Sequence, residues 1–170
     1  MTPDMINWDA TAFFSRLTAS NRHAVNEGYV FHRVTSLQGF HDALSSALSS
    51  RSIVAVCDTS EGSTSLDNSP HTRRVKTVFM ARRHRLDDLR ARDAAMDDMR
   101  ELFRQFMSVL VQEKAQLEEH CIYIDQRITF KEIDRYFFNG AACAVFQVAV
   151  NTYTDLRYNP EEWITPPISL

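Results

Sequence analysis

Glycine is scarce, four in 170 residues, so a phosphate cradle built from several glycines has little material. No Walker-type run of glycine, lysine and hydroxyl occurs either. The three cysteines, Cys57, Cys121 and Cys143, are odd in number, far apart and each set in an apolar run. That excludes a disulfide framework and predicts reduced, buried thiols. Long apolar runs are missing, none approaching the roughly 20 residues of a membrane span, and no basic segment leading into an apolar stretch opens the chain. A soluble, cytoplasmic protein is expected. Net charge is only −3, which gives no overall electrostatic reason to bind nucleic acid or an anionic membrane. Histidines 23, 32, 41, 71, 84 and 120 show no pair at ligand spacing beside a cysteine or carboxylate set, so neither a metal nor a cofactor is expected.

What is present is periodic. Asp9 caps a helix through about Leu17, with Phe13, Phe14 and Leu17 on one side. Tyr29 to Val34 has strand propensity. Ser36 opens a helix whose Leu37, Phe40, Leu44 and Leu48 recur at three and four. Ile53-Val54-Ala55-Val56-Cys57 reads as a strand buried on both faces. From Arg73 to Arg83, Val75, Thr77, Phe79 and Ala81 alternate with Arg74, Lys76, Val78, Met80 and Arg82, a second strand forming a hairpin with the first. A helix from Leu86 to near Glu119 carries a seam of Leu89, Met96, Met99, Phe103, Phe106 and Leu110, with Asp87 and Asp88 at its positive end. Ile122 to Phe130 alternates as one strand, a helical turn follows from Glu132 to Phe138, and Asn139-Gly140 marks a turn. Ala142 to Thr152 is a strand apolar on both faces. Asn159-Pro160-Glu161-Glu162-Trp163 permits one helical turn, and Pro166-Pro167 forbids its continuation. The expected fold is α+β: a mainly antiparallel four-stranded sheet packed by helices, with one long helix between the hairpin and the closing strand pair. Residues 1–155 form a single domain and 156–170 an extended tail.

Chemistry is thinly supported. Asp58 followed by Gly62-Ser63-Thr64 after an apolar strand resembles the first phosphate-binding segment of sugar kinases and actin-like ATPases, but the glycine comes four positions after the acid where that pattern needs two. Asp58, Ser63 and His71 are the residues a small hydrolase or phosphotransfer enzyme would use; the same residue types also serve an exposed turn through local hydrogen bonds. The reading favoured is non-enzymatic. His120 and Cys121, as neighbours on a strand, would point apart and form no catalytic pair.

Charge says more. From Arg73 to Arg92 the bases Arg73, Arg74, Lys76, Arg82, Arg83, Arg85, Arg90 and Arg92 face only Asp87 and Asp88, whereas from Asp93 to Glu119 acids outnumber bases seven to three. Such surfaces are complementary for head-to-tail self-association; the plainer alternatives are solvated faces with local ion pairs or a basic module for an acidic partner. The second face of the sheet, with Val78, Met80, Cys143, Val145 and Ala149, is more apolar than a solvated face should be. It needs a cover: the N-terminal helix, the tail with Trp163, or another subunit. The interaction residues singled out are Arg73, Arg74, Lys76, Arg82, Arg83, Arg85 and Trp163.

The element order over Ser36 to Thr152, ending in Asn139-Gly140-Ala141-Ala142-Cys143-Ala144-Val145-Phe146-Gln147-Val148-Ala149-Val150, resembles small phage and prophage neck and tail-completion (tail-terminator) proteins. The resemblance implies a homo-oligomer such as a ring, other virion or assembly proteins as partners, a virion-associated location and no catalytic residue to carry over. The region before Ser36 and the Pro-rich end depart from that family.

Overall fold

The computed structural model describes residues 8–46, 52–57, 61–133 and 140–164. Asp9 accepts a hydrogen bond from the Ala12 amide and starts α1, Ala10–Ser20. Asn21 ends α1 through its own amide and caps α2, Arg22–Asn26, through its side chain. Gly28, at φ 70°, turns the chain into β1, Tyr29–Val34. The Ser36 hydroxyl takes the Gly39 amide at the head of α3, Leu37–Ser46; Leu48 lies outside the described residues. β2 is Ser52–Cys57, β3 Gly62–Thr64 and β4 His71–Arg83. Asp88 caps α4, Leu89–Glu118, which begins three residues later than its charge pattern suggested because Leu86 and Asp87 form a turn. β5 is Ile122–Ile124, β6 Thr129–Ile133 and β7 Ala141–Tyr153. A 3₁₀ turn at Pro160–Glu162, with Pro at its start and Asn159 as cap, matches the sequence reading.

The α+β class holds, but the sheet is seven-stranded and mixed, not four-stranded. Its order is β1-β2-β4-β7-β5, with β3 extending the β2 side of β4 and β6 lying beside β7. β1 and β2 are parallel, joined across α3 as a β-α-β crossover, and every other pairing is antiparallel. The expected single strand from Ile122 to Phe130 is two strands. Between Ile124↔Val150 and Thr129↔Gln147 four residues stand opposite two, so the edge bulges and the register steps. Glu132 and Ile133 belong to β6, not to a helical turn; the rest of that expected turn, Asn139, and Pro166-Pro167 lie outside the described residues.

Pleating divides the core in two. Val54, Val56, Val78, Met80, Phe146 and Val148 meet α1 and α4 on one face. There Phe14 lies 5.9 Å from Phe106 and 5.6 Å from Phe146, ring centre to ring centre. The α4 seam is Ala95, Met96, Met99, Leu102, Phe106 and Leu110. Leu89 is exposed and Phe103 only partly buried, a rotation of the seam toward Leu102. On the other face Ile53, Ala55, Phe79, Ala81 and Cys143 are covered by Phe40 and Leu44 of α3. Phe40 stacks on Phe79 at 4.4 Å. The five residues expected to share the second face are therefore split, Val78 and Met80 lying under α1 and α4 and Cys143 and Val145 under α3. Cys143 is buried as expected and Cys57 half-buried, but Cys121 is exposed, at φ 58°, just past the end of α4. A short strand starting at Ile122 places it in the turn and not in the core.

Candidate interaction surface

The basic run splits on the pleat. Across the unbroken β4–β7 ladder, Arg73 and Arg83 share the α3 face with Phe79 and Ala81, whereas Arg74, Lys76 and Arg82 share the α4 face with Val78 and Met80. Lys76 is only 3 % exposed and so belongs to the interior, not to a contact surface. Arg73 is exposed and reaches Asp125 at 3.0 Å, where Asn151 donates to the other oxygen at 2.8 Å. Arg85 forks onto Asp87 at 3.2 and 3.0 Å. Trp163 is 51 % exposed, its ring 6.5 Å from that of Tyr158. The seven singled-out residues therefore do not form one patch.

The acids of α4 are largely matched along the helix itself. Arg100 pairs with Asp97 at 2.7 Å and with Glu132 of β6 at 2.7 Å, Arg104 with Glu101 at 2.7 Å, and Lys114 with Glu118. The Arg104 fork holds the Glu101 carboxyl down at about 2. Exposed pairs of this kind damp the charge asymmetry that the sequence displays.

Arg82 leads to a group that sequence reasoning missed. Its Nη1 lies 2.8 Å from Glu27 and 3.4 Å from Asp98 Oδ2. Tyr29 donates its hydroxyl to the same Asp98 oxygen at 2.6 Å, and His23 Nε2 stands 2.6 Å from Oδ1, off the hydrogen-bond axis. Burial, then the bond to Asp98, pushes the Tyr29 phenol far above its ordinary range. This cluster fastens α2, β1, β4 and α4 at one end of the sheet. Glu27, Arg82 and Asp98 of this cluster also line a groove of about 510 Å³, together with Arg83, His84, Ala91, Ala94 and Ala95.

The polar hairpin is ordered by its own ladder. β3 pairs with the first residues of β4, the Ser65 amide donates to the His71 carbonyl at 2.9 Å, and Asp67 accepts from the Ser69 amide at 3.0 Å. The hydroxyls of Thr64, Thr72 and Thr154 form a chain with steps of 3.0 and 2.6 Å. Asp58 lies outside the described residues. Ser63 sits opposite Arg73, a strand step from the Ser65–His71 contact, and no hydrogen bond joins it to His71, whose Nδ1 is 2.6 Å from the Ser69 carbonyl oxygen.

Among the described residues no group of three or more His, Cys, Asp or Glu side chains is placed to hold a metal ion, and no helix is long and apolar enough to cross a membrane. Large apolar side chains are nevertheless exposed at several places, Val25, Leu37, Leu66, Val109 and Val111 among them. Tyr123 and Tyr153 share one face of the β5–β7 pair, Phe130 lies on the other face against Phe103, Leu156, Trp163 and Ile164 follow β7, and Leu86 and Leu89 lie where β4 passes into α4. No protein-family model matches the chain, and no curated protein is similar to it.

Proposed function

We propose that this chain is a non-enzymatic assembly protein that self-associates, working in the cytoplasm or in a virion as phage tail-completion proteins do. The observation that carries the reading is the exposure of Tyr123 and Tyr153, neighbours on one face of the β5–β7 pair, with Leu156, Trp163 and Ile164 also exposed in the chain beyond β7. Exposed aromatic side chains beside each other at a sheet edge suit a protein contact. The sheet also ends in strands with an open side, β1 at one edge and β5 and β6 at the other, and such edges are the usual places for a further chain to be added or kept away. The element order, similar to that of tail-completion proteins, agrees with this reading. Sedimentation velocity of the chain at rising concentration tests it: mass-dependent growth of a defined larger species is expected, and a single monomer boundary throughout would overturn it.

A further inference from the structure

We infer that the groove where β4 passes into α4 binds the phosphate group of a small phosphorylated molecule, held by Arg83 and His84; this stands apart from the self-association proposed above. The groove holds about 510 Å³ and is lined by Glu27, Arg82, Arg83, His84 and Asp98 and by alanine methyls of α4. That volume falls within the roughly 300–1,000 Å³ of small-molecule sites. Its charged groups are not equally committed. Arg82 is engaged by Glu27 at 2.8 Å and Asp98 at 3.4 Å, and Asp98 also accepts from Tyr29 at 2.6 Å. Among the described residues no ion pair or hydrogen bond engages the Arg83 side chain, and its Nε is buried without an acceptor. His84 Nε2 is likewise buried without a partner. Its Nδ1 lies 2.9 Å from the Arg85 carbonyl oxygen, which can only accept, so Nδ1 carries the ring hydrogen and Nε2 of the neutral ring is a bare acceptor. Buried polar atoms are rarely left unpaired. Two of them on neighbouring residues of one groove point to a ligand that pairs both.

Donor and acceptor together select the ligand. Arg83 supplies N–H groups and a positive charge, whereas His84 Nε2 and the Glu27 carboxylate accept. A group that answers both carries anionic oxygen and an O–H on one centre. Singly protonated phosphate does: two anionic oxygens take the guanidinium fork of Arg83, and the hydroxyl donates to His84 Nε2. A phosphate ester loses its last hydrogen at about pH 6, so this form is well populated in mild acid. Sulfate keeps no hydrogen there. The carboxylates of Glu27 and Asp98 repel sulfate with no hydrogen bond in return, so the acids that disfavour a bare anion select the protonated one. Nε and Nε2 are closed to solvent as the side chains stand, so engaging the phosphate turns the two side chains about their own bonds. The alanine methyls leave the rest of the groove to the organic part of the ligand.

The test is isothermal titration calorimetry of the full chain at about pH 6, at matched ionic strength, with inorganic phosphate, glycerol 3-phosphate and sulfate as probes. Both phosphates are expected to bind at least about tenfold more tightly than sulfate, a comparison on wild type that needs no variant. Arg83→Gln and His84→Gln are each expected to weaken phosphate binding at least about tenfold, and Arg83→Lys, which keeps the charge without the fork, to recover part of the loss. Arg85→Gln, altering an exposed residue paired with Asp87, should leave it unchanged. Circular dichroism melts confirm that each variant is folded. Absence of binding by both phosphates, sulfate bound as tightly as phosphate, or folded Arg83→Gln and His84→Gln that bind phosphate as wild type does would each overturn the assignment. Such a failure leaves self-association standing, since sedimentation reads that separately.

Discussion

Replacing Asp98 by Ala removes the hub of the polar cluster and tests whether that cluster holds the helices to the sheet. The carboxylate is 9 % exposed and has three neighbours: Tyr29 at 2.6 Å, His23 at 2.6 Å and Arg82 at 3.4 Å. Without it the buried Tyr29 hydroxyl loses its acceptor, which costs about 1–3 kcal/mol. Arg82 keeps Glu27 at 2.8 Å and is 36 % exposed, so solvent screens its loss to about 1 kcal/mol at most. The sum is about 1–4 kcal/mol, and at about 2–4 °C per kcal/mol for a chain of this size the melting temperature falls by roughly 2–16 °C. Urea unfolding monitored by circular dichroism reads the free energy directly. A double-mutant cycle adds the decisive comparison: Tyr29→Phe costs about 1 kcal/mol in wild type and nothing, or a negative amount, in the Asp98→Ala background, where the hydroxyl is already orphaned. A loss below about 1 kcal/mol for Asp98→Ala, with no coupling to Tyr29, would refute the view of this cluster as a clasp.

Three further outcomes follow from single positions. The Tyr29 phenol, whose ordinary value is 10.0, is raised in the folded state, so its contribution to stability is complete below pH 10 and declines as pH rises beyond it; alkaline unfolding of Tyr29→Phe should show a shallower pH slope than wild type, and identical slopes would count against the buried phenol. Thiol labelling should modify Cys121 at once and Cys57 more slowly, while Cys143, buried and pushed up to about 12 by that burial, reacts only on unfolding; early loss of the Cys143 thiol would contradict its place under α3. Gly140→Ala should destabilise by about 1–3 kcal/mol, since its φ is 90° and an added Cβ would lie 3.2 Å from the His84 carbonyl oxygen, and an unchanged urea midpoint would refute that geometry.

Much of the fold was legible where local chemistry and burial agree. Asp9 before an apolar stripe, the spacing of Met96, Met99, Phe106 and Leu110, and the unbroken apolar run of β2 each specify one element with no need of distant partners. Elements that depend on distant pairing were not legible. β3 is Gly-Ser-Thr, fully exposed, and exists because Arg73 and Arg74 lie across from it. The break between β5 and β6 reflects a register step against β7, invisible in a sequence that alternates straight through it. α2 is five residues long, too short for periodicity, and its only signal was Asn21 as cap. The basic stretch was real in composition but misleading as a surface, because a strand sends alternate residues to opposite faces and buries Lys76. The His23, Glu27, Tyr29, Arg82 and Asp98 cluster could not be read at all, since its members come from four separate elements and one connection that only the folded chain brings together.

The proposed self-association of this chain is open to native mass spectrometry of the full chain. A defined multiple of the 19.6 kDa protomer that grows with concentration is expected. A mass of 19.6 kDa at every concentration and at low salt would contradict it.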